Sequence, residues 1–384
     1  MEEDIDNKKI IENIYIEFKN NKTKHKEIKI YIFIIFIILL SIFLFLILKI
    51  IKLNFQLKKL KKFNYIKIFQ YNQKNQLRKN NNIRNSNEFE NNLLQLYIEN
   101  RTQYYIKGRQ KHMKSIGKYY NESNIITIQD KLNWLLIHDS PESKADIVDK
   151  VLLRNYSKKI LGKDICVPII KIYKDINEIN LEELPNKFVL KCNHGSGMNI
   201  LCNNKSSFDI NKAKNQLRYW MTINYGLKYH EYQYINVKKK IFAEYFLKEN
   251  LTDYKFYCFN GLPKIIKVQS KYYKKNLKMY HYYDINWKIT DIETKLNGNI
   301  KLPQIKFQKP KHFNLMIEYA KKFSENFTFV RVDLYEFNDT VYLSELTFSP
   351  ANVRSPYRDE KQRIYLGSLL NLSKVNNSYL NKNI

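Results

Sequence analysis

The sequence predicts an α+β globular region behind one membrane-spanning helix, and three stretches carry that expectation. Ile30–Leu48 (IYIFIIFIILLSIFLFLIL) runs 19 residues without a charge, enough for a helix to cross the roughly 30 Å hydrocarbon core of a bilayer. Lys311–Phe323 sets Phe313, Met316, Ile317, Ala320 and Phe323 at helical spacing behind Pro310. Phe327–Phe337 and Val341–Phe348 instead alternate and are rich in β-branched and aromatic residues, the period of half-buried strands.

The apolar span is too long, too far from Met1 and too closely followed by Lys49 and Lys52 for a cleaved signal peptide. It has no polar face, so it is not a core helix. Lysines flank it on both sides, Lys19 to Lys29 before and Lys49 to Lys62 after, and the positive-inside rule leaves its orientation open between the cytosol and a Golgi or ER lumen.

At 384 residues and 44% hydrophobic content the chain has enough apolar side chains for an enzyme-sized core. Its net charge of +29 is uneven, for residues 49–118 hold 17 basic against 3 acidic side chains. Beside an apolar span such a run reads as a segment solvated near anionic headgroups. No zinc-finger spacing or RNP-like aromatic run accompanies it, so no nucleic-acid partner is expected. Cys166, Cys192, Cys202 and Cys258 are too few for a disulfide framework, and Cys192, His194 and Cys202 lack the paired spacing of structural zinc. The expected layout is a polar tail at 1–29, a transmembrane helix at 30–48, a basic stem without its own core at 49–118, and a folded region at 119–384.

Within the folded region Trp134–Ile137 and Ile147–Leu152 supply helix-spaced apolar positions, with Ser140-Pro141-Glu142 between them as a helix-start signal. Lys187–Cys192, Asn199–Cys202, Ile241–Leu247, Lys255–Phe259 and Lys264–Gln269 read as strands, the last two joined by a turn at Gly261-Leu262-Pro263.

The final two strands form a hairpin around Asn338, Asp339 and Thr340. Pairing Phe337 with Val341 sets Tyr335 opposite Leu343, Asp333 opposite Glu345 and Arg331 opposite Thr347, while Val330, Val332 and Leu334 face a core. Opposed carboxylates repel unless a proton or a cation lies between them. A hard divalent ion such as Mg²⁺ answers that need, with one or two carboxylates and substrate phosphates as its ligands. An Arg331–Glu345 diagonal ion pair, with Asp333 at a solvated edge, answers it equally.

Two of the nine glycines fall in Lys191-Cys192-Asn193-His194-Gly195-Ser196-Gly197. A strand ending in lysine and passing into a Gly/Ser loop offers backbone N–H groups and a point charge to phosphate, although a plain hairpin turn has the same composition. His194 lines that loop or caps it. Lys150 and Arg154 stand four apart in a helix-like segment, on a solvated face or turned to a ligand. Glu244 sits amid apolar strand neighbours, an edge residue or an acceptor in a cleft.

Taken in order, Asp149-Lys150, Pro185–Gly197 (PNKFVLKCNHGSG), FAEYFL at 242–247, DYKFYCFNG at 253–261 and FVRVDLY…VYLSELTFSP at 329–350 resemble the ATP-grasp superfamily. More narrowly, residues 125–370 are similar to the TupA-like ATP-grasp proteins of bacterial surface-polysaccharide gene sets. The resemblance implies an ATP-grasp fold, two α+β subdomains clasping a nucleotide, with a lid at about 185–260 and a metal-binding part at about 261–370. Lys150 and Lys191 would then hold ATP phosphates under the loop of His194, Gly195, Ser196 and Gly197. Glu244, Tyr245 and Phe246 would form the adenine hinge, and Asp253 would lie near the ribose. Arg331 and Lys255 would be catalytic, and Asp333, Glu345 and Thr347 would hold Mg²⁺. Relatives usually carry Asn where this chain has Thr347.

The implied reaction is a membrane-anchored ligase chemistry, in which ATP activates a carboxylate as an acyl phosphate for capture by an amine or other nucleophile, with a glycan-linked acceptor. A sugar kinase, a glycosyltransferase of the secretory pathway and a catalytically degenerate ATP-binding protein are the competing readings. Acceptor specificity is expected in Tyr272–Tyr283 and Arg354–Arg363.

Overall fold

The computed structural model describes residues 100–115, 117–139, 141–272, 277–294 and 306–375, all within one compact unit, Ile83–Ile384. The expected span Ile30–Leu48, the tail before it and the stem up to residue 99 lie outside these residues. Among the described residues no helix is long and apolar enough to cross a membrane.

Two antiparallel sheets organise the unit. The first contains β1 (Ile169–Tyr173), β2 (Phe188–Cys192), β3 (Asn199–Cys202) and β4 (Ile241–Tyr245) in the order β1-β4-β2-β3. The second contains β5 (Asp253–Phe259), β6 (Leu262–Tyr272), β7 (Leu277–Asp284), β8 (Phe329–Phe337) and β9 (Thr340–Thr347) in the order β7-β6-β5-β8-β9. The helices are α1 (Arg101–Lys114), α2 (Ile128–His138), α3 (Ala145–Val148), α4 (Leu153–Leu161), α5 (Ile210–Thr222), α6 (Tyr225–Tyr229), α7 (Phe313–Ser324) and α8 (Glu360–Ser368).

Strand alternation decides where each layer packs. Phe256 and Cys258 of β5 and Val330, Val332 and Leu334 of β8 point to one face and bury Met316, Ala320 and Phe323 of α7. The opposite face is covered at one end, where Tyr257, Phe259, Ile265 and Phe329 meet Leu132, Leu135 and Leu136 of α2 and Leu366 of α8. The first sheet buries Phe188, Leu190 and Ala243 against Ala213 and Leu217 of α5. Helix starts follow their caps: Thr127 and Asp130 close a capping box at α2, and Asp209 caps α5.

The hairpin differs from its expected geometry in an informative way. Asn338 and Asp339 alone make the turn, both with positive φ (47° and 56°), as a two-residue primed turn requires. Phe337 therefore pairs with Thr340, and Tyr335 with Tyr342 instead of Leu343. A bulge between Asp333 and Leu334 takes up the difference, so that Asp333 faces Glu345 and Arg331 faces Thr347.

Three other boundaries move. The first sheet begins at Ile169, earlier than the expected lid, and β5 lies in the second sheet, so the division falls between Tyr245 and Asp253. β6 starts at Leu262 inside the expected turn, because Asn260 and Gly261 make the tight turn by themselves. Most consequential is α1, inside the stretch expected to be a coreless stem, whose Tyr104, Tyr105 and Met113 are buried.

Arg109 of α1 is fully buried, and burial pulls its pKa down to about 10. It donates to Asn133 Oδ1 (2.7 Å), to Asn352 Oδ1 (2.7 Å) and to the carbonyls of His230 (3.2 Å) and Asn352 (3.3 Å). Both His230 and Asn352 are left-handed (φ 55° and 51°), and Asn352 lies within a left-handed run from Ala351 to Val353. Such backbone costs about 1–3 kcal/mol per residue and persists where the surroundings over-determine it. Arg109→Met leaves four acceptors without that donor and is expected to cost about 3 kcal/mol or more in urea unfolding. A loss under about 1 kcal/mol would show that the clamp does not hold α1 to the body.

Candidate active site

The uncovered part of the second sheet carries a cluster of charges. Arg331 Nε and Nη2 donate to Asp333 Oδ1 and Oδ2, both at 2.6 Å, and Nη2 also reaches Glu345 Oε1 at 3.0 Å and Thr347 Oγ1 at 3.2 Å. Lys255, paired with Asp333 in the ladder, donates to Asp333 Oδ2 at 2.6 Å and lies 3.5 Å from Asp253. The diagonal Arg331–Glu345 pair thus forms, but Asp333 is 1% exposed and not at a solvated edge.

Charge state follows from these contacts. Burial raises the Asp333 carboxyl above its ordinary value, against the opposing pull of Arg331 and Lys255, and its three donors match the carboxylate form. Burial acts on Glu345 as well, but Lys150, Arg331 and Lys255 outweigh it and bring that carboxyl down to about 2. For Lys255, burial is outweighed by Asp333 and the ammonium is stabilised. Removing one member of such a buried set typically costs about 3–5 kcal/mol, because the others are left uncompensated.

Lys150 sits in the turn between α3 and α4, not on a helix face shared with Arg154, whose side chain goes to Asp164 and the Val167 carbonyl. Its Nζ donates to the Gly195 carbonyl at 2.7 Å and lies 4.0 Å from Glu345 Oε2. Burial lowers its pKa, with Glu345 opposing. Lys150 therefore ties the glycine loop of the first sheet to the carboxylates of the second.

Lys191 of β2 pairs with Glu244 of β4, and β4 is an interior strand, so Glu244 is not an edge residue. Tyr245 is exposed, Phe246 is half-buried, and the segment after them is the chain's passage from the first sheet to the second. Asp253, where that passage ends, accepts from Gln269 Nε2 at 2.8 Å.

In the loop, Gly197 takes φ +73°, and a Cβ on Gly195 would meet the Tyr225 ring at 2.5 Å, so both glycines are required there. Ser196 and Gly197 are exposed. His194 turns inward: its Nε2 lies 3.1 Å from the Trp220 carbonyl and the residue is 2% exposed. It anchors the loop on α5 and does not line it.

Two residues passed over in the sequence position this loop. Asn193 donates to Asp149 Oδ2 (2.7 Å) and to the Lys238 carbonyl, and accepts from the Lys240 amide. Asp149 Oδ1 in turn accepts from the amides of Val151 and Leu152. Both lie inside recognised motifs, each next to the more conspicuous residue.

A divalent cation fits at Glu345, whereas both oxygens of Asp333, expected as a second ligand, are taken by Arg331 and Lys255. Glu345 is ionised, and its Oε2 is turned toward Lys150, while Thr347 Oγ1 donates to Glu345 Oε1 at 3.1 Å and so serves as a support. Among the described residues no group of three or more His, Cys, Asp or Glu gathers as a metal cage. Mg²⁺ bound chiefly through substrate phosphates needs no such cage.

Two antiparallel sheets, linked by one passage and bridged by a lysine from a glycine loop to a carboxylate pair, define a protein of the ATP-grasp class. The chain belongs to the TupA-like ATPgrasp family, whose model matches residues 130–371. ATP-grasp enzymes are ligases that use ATP and Mg²⁺. Solved structures similar to the chain include N5-carboxyaminoimidazole synthetase from Staphylococcus aureus with ADP, at 14% identity, TM-score 0.32, over 54% of this chain and 46% of that one. D-alanine-D-alanine ligase from Helicobacter pylori matches at 15% identity, TM-score 0.30, over 59% and 61%. The corresponding ligase from Bacillus anthracis with ATP matches at 14%, TM-score 0.35, over 71% and 85%. The chain thus spans less than two thirds of the first two, and the family assignment rests on the family match alone. No curated protein matches the chain.

Burial pushes the His194 pKa down to about 4, from 6.5 in an exposed histidine. Between those values the unfolded chain binds a proton that the folded chain does not. Stability is therefore full above pH 6.5 and falls as pH drops toward 4. His112, held at about 4 mainly by burial, adds a slope of the same sign. Urea midpoints from pH 8 to 4 are expected to show this decline, shallower by about one proton in His194→Gln. An unchanged slope in that variant would contradict the inward placement of His194.

Proposed function

We propose that this chain is a Mg–ATP-dependent ligase that activates a carboxylate and passes the acyl group to an amine or other nucleophile. The observation that carries the reading is the bridge through Lys150, from the Gly195 carbonyl to Glu345, beside the buried Arg331–Asp333–Lys255 cluster. Lys150 and Lys191 hold the phosphates beneath the Gly195–Gly197 loop. Glu244, Tyr245 and Phe246 receive the adenine on the passage between the sheets, with Asp253 toward the ribose. Glu345 holds Mg²⁺, Asp333 fixes Arg331 and Lys255 beside it, and Thr347 fixes the Glu345 carboxylate where relatives place an Asn.

An oxygen of the substrate carboxylate attacks the γ-phosphorus, the bond to the bridging oxygen breaks and ADP leaves. The nucleophile's nitrogen then attacks the acyl carbon, the bond to the phosphate oxygen breaks, and the released phosphate takes the proton lost by nitrogen. Arg331 and Lys255 face the transferring group as fixed cations in a water-poor site, where such charges lower barriers most. Bound Mg²⁺ supplies further neutralisation of the phosphate oxygens. The apolar span Ile30–Leu48 supports a membrane anchor, and a glycan-linked acceptor is what the resemblance to the TupA-like proteins implies.

The test is the full chain with Mg²⁺, γ-labelled ATP and panels of carboxylates, amines and sugars. Labelled free phosphate that needs both a carboxylate and an amine supports ligation; label on a sugar overturns it in favour of a kinase. Asp333→Asn and Lys191→Ala are each expected to lower turnover by about 10²–10³-fold. Turnover within about twofold of the parent in both would remove the site from the chemistry.

A further inference from the structure

Strand alternation puts Phe329, Arg331 and Asp333 on one face of β8, and Tyr257 of β5, the ladder partner of Arg331, shares that face. A small cavity lies on the same face, walled by Tyr257, Phe259 and Phe329 from the sheet, by Gln129 and Leu132 from α2, and by Val353. It measures about 10 Å³, room for one water-sized group. Tyr257 belongs both to the cavity wall and to the row of Arg331, so the cavity adjoins that row.

The walls are mostly apolar, and Gln129 is the exception. It is 4% exposed, and its Nε2 donates to the Ser355 carbonyl at 3.1 Å. That bond fixes the amide, since turning it over would set one carbonyl oxygen against another. Oε1 is thereby held as an acceptor, and among the described residues it meets no donor. Buried acceptors are nearly always satisfied in folded proteins, so one on a cavity wall beside reacting groups marks a place where an N–H or O–H is received.

We infer that Gln129 selects the nucleophile, and that the nucleophile is a primary amine whose nitrogen enters this cavity and donates an N–H to Gln129 Oε1. This rests on the ligase reading above. As a primary amine attacks the acyl carbon and the bond to the phosphate oxygen breaks, one of its two protons leaves with the phosphate. The other stays on nitrogen, so the hydrogen bond to Gln129 lasts through the transfer. A secondary amine or an alcohol gives up its only proton and has nothing left to donate, which strands the buried carbonyl. Size agrees, because a cavity for one water-sized group admits an NH₂ but not a second alkyl substituent.

Kinetics of the full chain with Mg²⁺, γ-labelled ATP and the carboxylate panel test the inference with two nucleophiles, both uncharged at neutral pH: methoxyamine, a primary amine, and N,O-dimethylhydroxylamine, a secondary one. Methoxyamine is expected to show a kcat/KM about tenfold or more higher in the parent chain. In Gln129→Met its KM is expected to rise about tenfold with the KM for ATP unchanged, and the ratio between the two nucleophiles to fall by about the same factor. Titration with the non-hydrolysable analogue AMPPCP reports that the variant is folded, and the preference in the parent chain is read without it. Equal kcat/KM values in the parent chain, or a methoxyamine KM and a preference that survive Gln129→Met, overturn the subsite and leave the cavity to a water. Phosphate release that no carboxylate stimulates overturns the ligase reading instead.

Discussion

A carboxylate that is 1% exposed must be surrounded by donors, and Asp333 takes three, two from Arg331 and one from Lys255. Much of the second sheet follows from that requirement. β8 must lie between the strands that carry Lys255 and Glu345, and its alternate residues must be apolar enough to hold α7 beneath it. Because Arg331 shares its guanidinium between Asp333 and Glu345, the two acids differ in state. The buried one is raised and the outer one is brought down to about 2. A site with one saturated and one accessible carboxylate is suited to a cation that arrives and leaves with its nucleotide.

What was legible in the sequence was periodic. Alternation in FVRVDLYEF and VYLSELTF predicts the hairpin and puts Asp333 opposite Glu345, and helical spacing predicts α7, whose start lies two residues and whose end one residue later than expected. The intermediate register was not legible, since a two-residue turn followed by a bulge and a three-residue loop without one bring the same acids together. The charge of Lys150 was visible but its turn was not, because Asp149 ends α3 and its side chain caps the following residues through their amides. His194 had the composition of a loop ligand, and only packing against α5 decided that it faces inward.

The N-terminal helix marks where pattern failed outright. α1 lies ahead of the family match at 130–371, and its sequence is basic and lacks a continuous apolar stripe. Its principal buried group is an arginine, which any hydropathy measure assigns to solvent. Arg109 reaches Asn352, seven residues beyond Glu345, and the Tyr105 ring stacks on Tyr232 at 3.9 Å. In this chain a helix outside the matched residues thus grips the backbone just downstream of the metal-facing strand.

The bulge beside Asp333 also divides the hairpin into two mechanical halves. On the turn side, pairing is set by Asn338 and Asp339; on the site side, by the acids and Arg331. A strand pair with such a joint can drift in sequence and length near its tip while the deeper half keeps its alignment. Variation among relatives is therefore expected to gather in the outer four or five positions of this ribbon, and comparisons that count residues inward from the tip will misalign the acids unless they allow for the joint.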